Sequence, residues 1–76
     1  MNAELEITFA ADSSMIMNLN NALLEEFADG YSLHADNGLA LNIMKSDLTS
    51  FKSEDDIDEF CIGAQGIQTT IRIKWE

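Results

Sequence analysis

The stretch Ile67-Gln-Thr-Thr-Ile-Arg-Ile-Lys-Trp-Glu76 carries the clearest structural signal in the chain. Apolar and β-branched side chains alternate there with polar ones, as in a β-strand that buries one face. It is the longest run of period two in the sequence. The pattern therefore predicts a strand that is either central or otherwise well paired.

Residues 4–10 show the same alternation over a shorter length. Their apolar positions are Leu5, Ile7 and Phe9, and the positions between them are polar. A run of this kind is typical of a strand with one buried face. We therefore expect the first strand here.

Two further alternating runs, 31–35 and 39–43, flank the turn sequence Asp36-Asn37-Gly38 and predict a β-hairpin. A two-residue Asn-Gly loop would put polar and apolar side chains on the same face along the ladder. A three-residue loop with Gly38 in the left-handed conformation keeps the apolar partners on one face. This register pairs Ala35 with Leu39, Leu33 with Leu41 and Tyr31 with Ile43.

A first helix is predicted from about 13 to 29, where apolar residues recur every three or four positions. Asp12, Ser13 and Ser14 can each cap a helix start, and Gly30 stands where a helix usually ends. The residues of the apolar stripe are Ile16, Leu19, Leu23 and Phe27.

A second helix is predicted from about 53 to 64. Ser53 precedes three carboxylates at 54–56, which favour the positive N-terminal end of a helix dipole. Residues 45–52 form a polar connection that either docks at the edge of the core or extends into an irregular strand. The apolar positions of this second helix are Ile57, Phe60, Cys61 and Ala64.

The predicted order is strand, helix, strand, strand, helix, strand, in a single acidic α+β domain over residues 1–76. This order resembles the split βαβ arrangement of ferredoxin-like folds. The resemblance implies a βαββαβ two-layer sandwich, in which a four-stranded antiparallel sheet carries two helices on one face. That topology hosts many unrelated functions, so function has to be inferred from the surface.

The composition is strongly acidic, with 14 acids against 4 bases and a formal net charge of -10. This charge argues against direct binding of nucleic acid. No apolar run is long enough to span a bilayer and no secretion signal is recognisable, so we expect a cytoplasmic protein without membrane contacts. The single cysteine excludes an internal disulfide, and the core alone must stabilise the fold.

The predicted sheet balances the charges on its open face. Glu4 and Glu6 of the first strand lie there beside Arg72 and Lys74 of the last strand. The remaining acids are expected on helices and loops, where few bases offset them. The acids expected to contact a partner are Glu25, Glu26, Asp29, Glu54, Asp55, Asp56, Asp58 and Glu59.

An acidic surface of this kind has two interpretations. It can keep a small protein soluble and monomeric. Alternatively, carboxylates on adjacent helical turns lie about 5 to 6 Å apart, comparable with the spacing of phosphates, and can occupy a basic groove. In length, charge and lack of catalytic motifs the chain resembles small phage-encoded inhibitors of host defence, including anti-CRISPR proteins and other DNA mimics. The resemblance implies an inhibitor that binds the basic surface of a nucleic-acid-binding protein, in the host cytoplasm if it is phage-encoded.

Other function classes have less support. One alternative is a ligand-sensing or assembly module that dimerises through its sheet, so both a monomer and a homodimer are open. A small enzyme has no catalytic motif in its favour, and we expect no cofactor. Cys61 is predicted to pack in the core and His34 to be a solvated strand residue. One cysteine and one histidine cannot form a zinc site, and the acids at 55–59 lack the spacing of a calcium loop.

Overall fold

The computed structural model describes residues 1–10, 13–64 and 66–76. Within these ranges the chain forms eight β-strands and a 3₁₀ turn at Lys45–Asp47, with no α-helix. No helix in these ranges is long and apolar enough to cross a bilayer. The strands are β1 Ala3–Phe9, β2 Ser13–Leu19, β3 Leu23–Glu26, β4 Gly30–His34, β5 Ala40–Met44, β6 Leu48–Glu54, β7 Ile57–Ala64 and β8 Ile67–Trp75.

The strands form two antiparallel sheets. The larger sheet has the order β2-β1-β8-β7-β6, and the smaller one has the order β3-β4-β5. The chain leaves the larger sheet between β2 and β3 and returns to it through the 3₁₀ turn between β5 and β6. β8, which contains the long alternating run, is the central strand of the larger sheet, the first of the two alternatives predicted for it.

The core lies between the two sheets and consists of one face of each. Leu5, Phe60 and Ile73 of the larger sheet are enclosed there, together with Leu33 and Ile43 of the smaller sheet. Successive strand residues point to opposite faces, so the alternation in the sequence turns these side chains inward. The second face of the larger sheet is therefore left to solvent.

The ferredoxin-like α+β prediction is wrong, because both segments assigned to helices are strands. The strands predicted at 4–10 and 67–76 are confirmed as β1 and β8. They are antiparallel neighbours, as the predicted topology also required. The chain is consequently an all-β sandwich rather than a sheet covered by helices.

The first predicted helix, over 13–29, is replaced by β2 and β3. Asn21 has a φ of 51° in the turn between them, a left-handed conformation that a helix does not contain. Of the predicted apolar stripe, Leu19 is buried, whereas Ile16 is 60% exposed and Leu23 is 55% exposed. The spacing that indicated a helix is therefore a coincidence of inward and outward strand residues.

The residues expected to bound that helix have other roles. Ser13 begins β2, Gly30 begins β4, and Asp12 lies outside the described residues. A Cβ atom at Gly30 would overlap the carbonyl oxygen of Ile43 on β5. Glycine is thus required by the close approach of two strands and not by a helix end.

The second predicted helix, over 53–64, is replaced by the end of β6, a two-residue turn and β7. Asp55 has a φ of 52° in that turn. The Ser53 hydroxyl does not cap a helix; it donates to Asp58 Oδ1 at 2.6 Å across the hairpin. The run of acids that suggested a helix start instead forms a tight turn.

β7 turns Phe60 and Cys61 to opposite faces. Phe60 is fully buried, whereas Cys61 is partly exposed on the solvent face, with its Sγ 3.9 Å from Thr70 Oγ1. The prediction that Cys61 packs in the core is therefore wrong. Residues 45–52 follow the second expected alternative, a 3₁₀ turn and then β6, whose register is irregular near its start.

The predicted β4–β5 register is confirmed. Gly38 has a φ of 88°, the left-handed conformation that the three-residue loop requires. The backbone N–H of Ala35 donates to the carbonyl oxygen of Leu39 at 3.3 Å and closes the loop. Tyr31 lies opposite Ile43 and Leu33 lies opposite Leu41.

Three aromatic rings join the sheets. The ring centroid of Tyr31 on β4 lies 4.9 Å from that of Phe60 and 5.4 Å from that of Phe51, and the two phenylalanine centroids are 4.8 Å apart. Aromatic pairs at such distances add about 0.5 to 1.5 kcal/mol each beyond the area they bury. The cluster holds the smaller sheet against the β6–β7 hairpin, whose turn carries several acids.

Candidate functional site

The solvent face of the larger sheet, called here the outer face, carries three of the four bases. Glu4 of β1 lies opposite Lys74 of β8, and Glu6 lies opposite Arg72. This confirms the predicted juxtaposition of acids and bases on neighbouring strands. Across β1, β8, β7 and β6 one aligned row of side chains alternates in sign: Glu6, Arg72, Glu59 and Lys52.

The fourth base, Lys45, is paired away from the outer face. Its Nζ lies 2.8 Å from Glu26 Oε2, the one ion pair closer than 4.0 Å in the part of the chain that the structure describes. The hydrogen bond to Glu26 raises the pKa of Lys45 above its ordinary value, with further Coulombic contributions from Glu26, Tyr31 and Asp29. Other acids off the outer face have no such partner among the described residues.

The eight acids predicted to form one partner-binding surface lie in three places. Two lie on the outer face among the bases, and three lie in or just after β3. The last three surround the turn between β6 and β7. The expected array of carboxylates on successive helical turns does not exist, because these segments are strands and turns. The two on the outer face are Glu54 and Glu59, the three in or just after β3 are Glu25, Glu26 and Asp29, and the three around the β6–β7 turn are Asp55, Asp56 and Asp58.

The β6–β7 turn borders a cleft of about 510 Å³, called here the acidic cleft. Asp55, Asp56 and Asp58 form its acidic rim. Of the described residues that line it, none is lysine or arginine. Its apolar floor comes from the two ends of the chain and the start of β3, and consists of Met1, Ala22, Leu23, Leu24 and Trp75.

Backbone contacts set the position of the rim. Glu54 pairs with Ile57, so that only Asp55 and Asp56 separate β6 from β7. The backbone N–H of Trp75 donates to the carbonyl oxygen of Asp56 at 2.7 Å. The turn is thus fixed to the end of the central strand.

Side-chain contacts fix the third acid of the rim. Asp58 lies on the inward face of β7, where an unpaired carboxylate would be costly. Its Oδ1 accepts from the Ser53 hydroxyl at 2.6 Å and its Oδ2 accepts from Trp75 Nε1 at 2.9 Å. These bonds hold a carboxylate beside an indole ring.

The apolar floor of the cleft is formed largely by β3 and the N-terminus. The backbone N–H of Ala22 donates to the carbonyl oxygen of Met1 at 2.7 Å, which brings the N-terminus to the start of β3. Leu23 is 55% exposed above it. β3 is an edge strand of the smaller sheet, and edge strands present unpaired backbone N–H and C=O groups. The cleft therefore combines apolar and acidic side chains and is lined in part by an edge strand.

The other residues singled out in the sequence add little to this site. His34 is exposed, as predicted, and its Nε2 lies 2.7 Å from Ser32 Oγ. In residues 1–10, 13–64 and 66–76, no three histidine, cysteine or acidic side chains are gathered closely enough to hold a metal ion. No family model, no curated protein and no solved structure matches the chain. Function therefore has to be inferred from the acidic cleft and the distribution of charge.

Proposed function

We propose that this chain is a small acidic binding protein, without catalytic activity, that docks on the basic surface of a nucleic-acid-binding protein. The observation that supports this most directly is the acidic cleft, where three carboxylates and an apolar floor face one opening. A protein segment that carries both basic and apolar side chains is complementary to such a lining. When such a segment occupies the cleft, its basic side chains would no longer be free to bind nucleic acid.

An extended segment suits the geometry of the cleft. The unpaired edge of β3 can pair with an added strand, whose alternate side chains point to opposite sides. Apolar side chains would then contact Leu23 and Trp75, and basic ones would meet Asp55 and Asp56. The formal net charge of -10 would also steer a basic partner toward the chain and raise the association rate at low salt.

Mimicry of phosphates by helical turns is not part of this proposal, because the acids lie on a turn and on strands. Competition would arise instead because arginine and lysine side chains that bind phosphates also bind carboxylates. A phage-encoded inhibitor of host defence, of the kind that the chain resembles in size and charge, would act in this way. We propose the host cytoplasm as its compartment, where the free thiol of Cys61 would stay reduced.

Affinity capture followed by competition tests this function. The immobilised wild-type chain is expected to capture a nucleic-acid-binding protein from cell extract and to release it when duplex DNA or RNA is added. A Leu23→Ser/Asp56→Lys variant should lose that capture. The matched control Asp47→Lys makes the same charge change in the 3₁₀ turn, outside the cleft, and should keep it. Capture that both variants share, or that nucleic acid does not reverse, would contradict the proposal.

A further inference from the structure

The outer face has a charge pattern that is complementary to itself. Its aligned row runs negative, positive, negative, positive from β1 to β6, through Glu6, Arg72, Glu59 and Lys52. Read from the other end, the same row runs positive, negative, positive, negative. Two identical faces can therefore match when one is reversed.

A two-fold axis parallel to the strands and midway between β7 and β8 produces this reversal. It places Arg72 of each copy opposite Glu59 of the other, and Glu6 opposite Lys52. An axis through β8 would instead set Arg72 against Arg72. We infer that the outer face is the contact surface of a symmetric homodimer, in which a second copy of this chain lies face to face with the first. The inference uses the outer face alone and does not depend on the function proposed for the acidic cleft.

The bases on the outer face are available for such contacts. None of Lys52, Arg72 and Lys74 lies within 4.0 Å of an acid oxygen among the described residues, although acids occupy the neighbouring strands. Arg72 also stands between two notches in the face, with volumes of about 180 and 230 Å³. A long side chain from the second copy can enter either notch.

The charge of the rest of the chain favours this face over others for self-association. Copies with a formal net charge of -10 repel each other where their acidic surfaces meet. The outer face holds three bases against four acids, so repulsion is smallest there. In a two-fold dimer both copies contribute the same surface to the contact, and the reversed row of charges requires such a contact.

The size of the face predicts a weak dimer. Four overlapping strands about 4.8 Å apart and about 23 Å long give roughly 450 Å² per copy, or about 900 Å² in total. Specific interfaces of this size belong to weak and transient complexes. We therefore expect reversible association that weakens as salt screens the charges.

Charge reversal at the centre of the row provides the test. Sedimentation of the wild-type chain at low salt, from about 10 μM to about 1 mM, should show a monomer–dimer equilibrium. Glu59→Arg and Arg72→Glu should each weaken it by about tenfold or more, since each opposes like charges twice across the axis. An equimolar mixture of the two variants should dimerise again, because the mixed pair restores both attractions and has the same total formal charge as two wild-type chains.

A variant that tightens the dimer gives a second, independent readout. The proposed axis opposes Glu4 of each copy to Glu54 of the other. Glu54→Lys should turn this repulsion into attraction and strengthen dimerisation. Asp47→Lys makes the same change in net charge away from the outer face and should strengthen it less. Because Glu54 is exposed, this variant should fold even if a central reversal does not.

Several results would overturn the inference. One is a wild-type chain that stays monomeric at about 1 mM and low salt. Another is folded single reversals that dimerise as the wild type does, or whose mixture stays monomeric. Equal effects of Glu54→Lys and Asp47→Lys would also contradict it, since they would trace association to net charge alone. Circular dichroism establishes in each case that the variant is folded.

Discussion

The indole Nε1 of Trp75 donates to Asp58 Oδ2 at 2.9 Å, and this bond joins the end of the central strand to the rim of the acidic cleft. It places an apolar ring and a carboxylate side by side at one opening. The second oxygen of Asp58 accepts from the Ser53 hydroxyl at 2.6 Å, so neither the acid nor the ring turns freely. A surface that is both apolar and anionic is thus held in place by contacts within the chain.

Loss of the Asp58 carboxylate should destabilise the chain. Asp58→Ala removes the acceptor of two side-chain donors, one of them part-buried, and should lower the free energy of unfolding by about 1 to 3 kcal/mol. Urea unfolding followed by Trp75 fluorescence measures it. Asp56→Ala removes the same charge from an exposed position and should change stability by less than about 0.5 kcal/mol. Equal losses in the two variants would refute this role for Asp58.

The backbone at Asp55 should limit which residues the β6–β7 turn accepts. Asp55 has a φ of 52°, a conformation that glycine adopts without strain and β-branched residues avoid. Asp55→Val should therefore be less stable than Asp55→Gly by about 1 to 2 kcal/mol, although both lose the same charge. Thermal unfolding of the two variants compares them. Equal stability of the two variants would contradict the prediction, because it would mean that the backbone of the turn changes conformation to accept valine.

Close contact between β4 and β5 should make Gly30 intolerant of any side chain. The added methyl group of Gly30→Ala meets the backbone oxygen of Ile43, which cannot move without shifting β5. We expect a loss of about 1 to 3 kcal/mol in the free energy of unfolding. Gly63→Ala serves as the control and should lose less, because its methyl group meets only the exposed side chain of Thr49, which can shift at the cost of its 3.2 Å hydrogen bond to the Cys61 carbonyl oxygen. A stable Gly30→Ala variant would contradict the observed strand spacing.

The Glu26–Lys45 ion pair should contribute stability that alkali removes. The folded state raises the pKa of Lys45, so its contribution is complete below the unfolded pKa, about 10.4, and is lost as pH rises through the folded value. The difference in unfolding temperature between the wild type and Lys45→Met should be constant near neutral pH and shrink in alkali. Methionine keeps an apolar stem beside Tyr31. If the difference in unfolding temperature between the wild type and Lys45→Met grew with pH, the prediction would be contradicted.

The parts of the fold that were predicted correctly depend on an unbroken period of two. β1 and β8 alternate without interruption, so both their type and their buried faces could be predicted. The β4–β5 register could be predicted because one of two loop lengths mixes the faces, and Gly38 fits the other. In each case a local pattern and the burial requirement point to the same answer.

The helix predictions failed where outward apolar residues imitate a helical stripe. Ile16 and Leu23 are mostly exposed, and with Leu19 they happen to follow a spacing of three and four. On β7 the inward-facing residue before Phe60 is an acid, Asp58. It interrupts the alternation of apolar and polar residues that would have indicated a strand. Its hydrogen bonds to Ser53 across the hairpin and to Trp75 make that placement possible, and Trp75 is distant in sequence. A local pattern cannot contain this information.

The candidate site was predicted in part. The three rim acids belong to the predicted partner-binding set, and the balanced sheet face was expected from Glu4, Glu6, Arg72 and Lys74. The apolar floor was missed, because it forms where the chain ends meet β3, and that contact depends on the true topology. The acids at 54–56 and the tryptophan at position 75 are the available signal, but their local patterns indicate a helix start and a strand end.

Fluorescence of Trp75 during titration with a basic, part-apolar peptide tests the central claim most directly, since this is the chain's single tryptophan and it lines the acidic cleft. The probe is a peptide of alternating arginine and leucine, about eight residues long so that it can span the cleft. We predict a saturable change in emission that high salt weakens and that Leu23→Ser/Asp56→Lys abolishes, with no change for an alternating glutamate–leucine peptide. Emission that does not respond to the basic peptide, or that responds equally in the wild type and the cleft variant, would contradict the account.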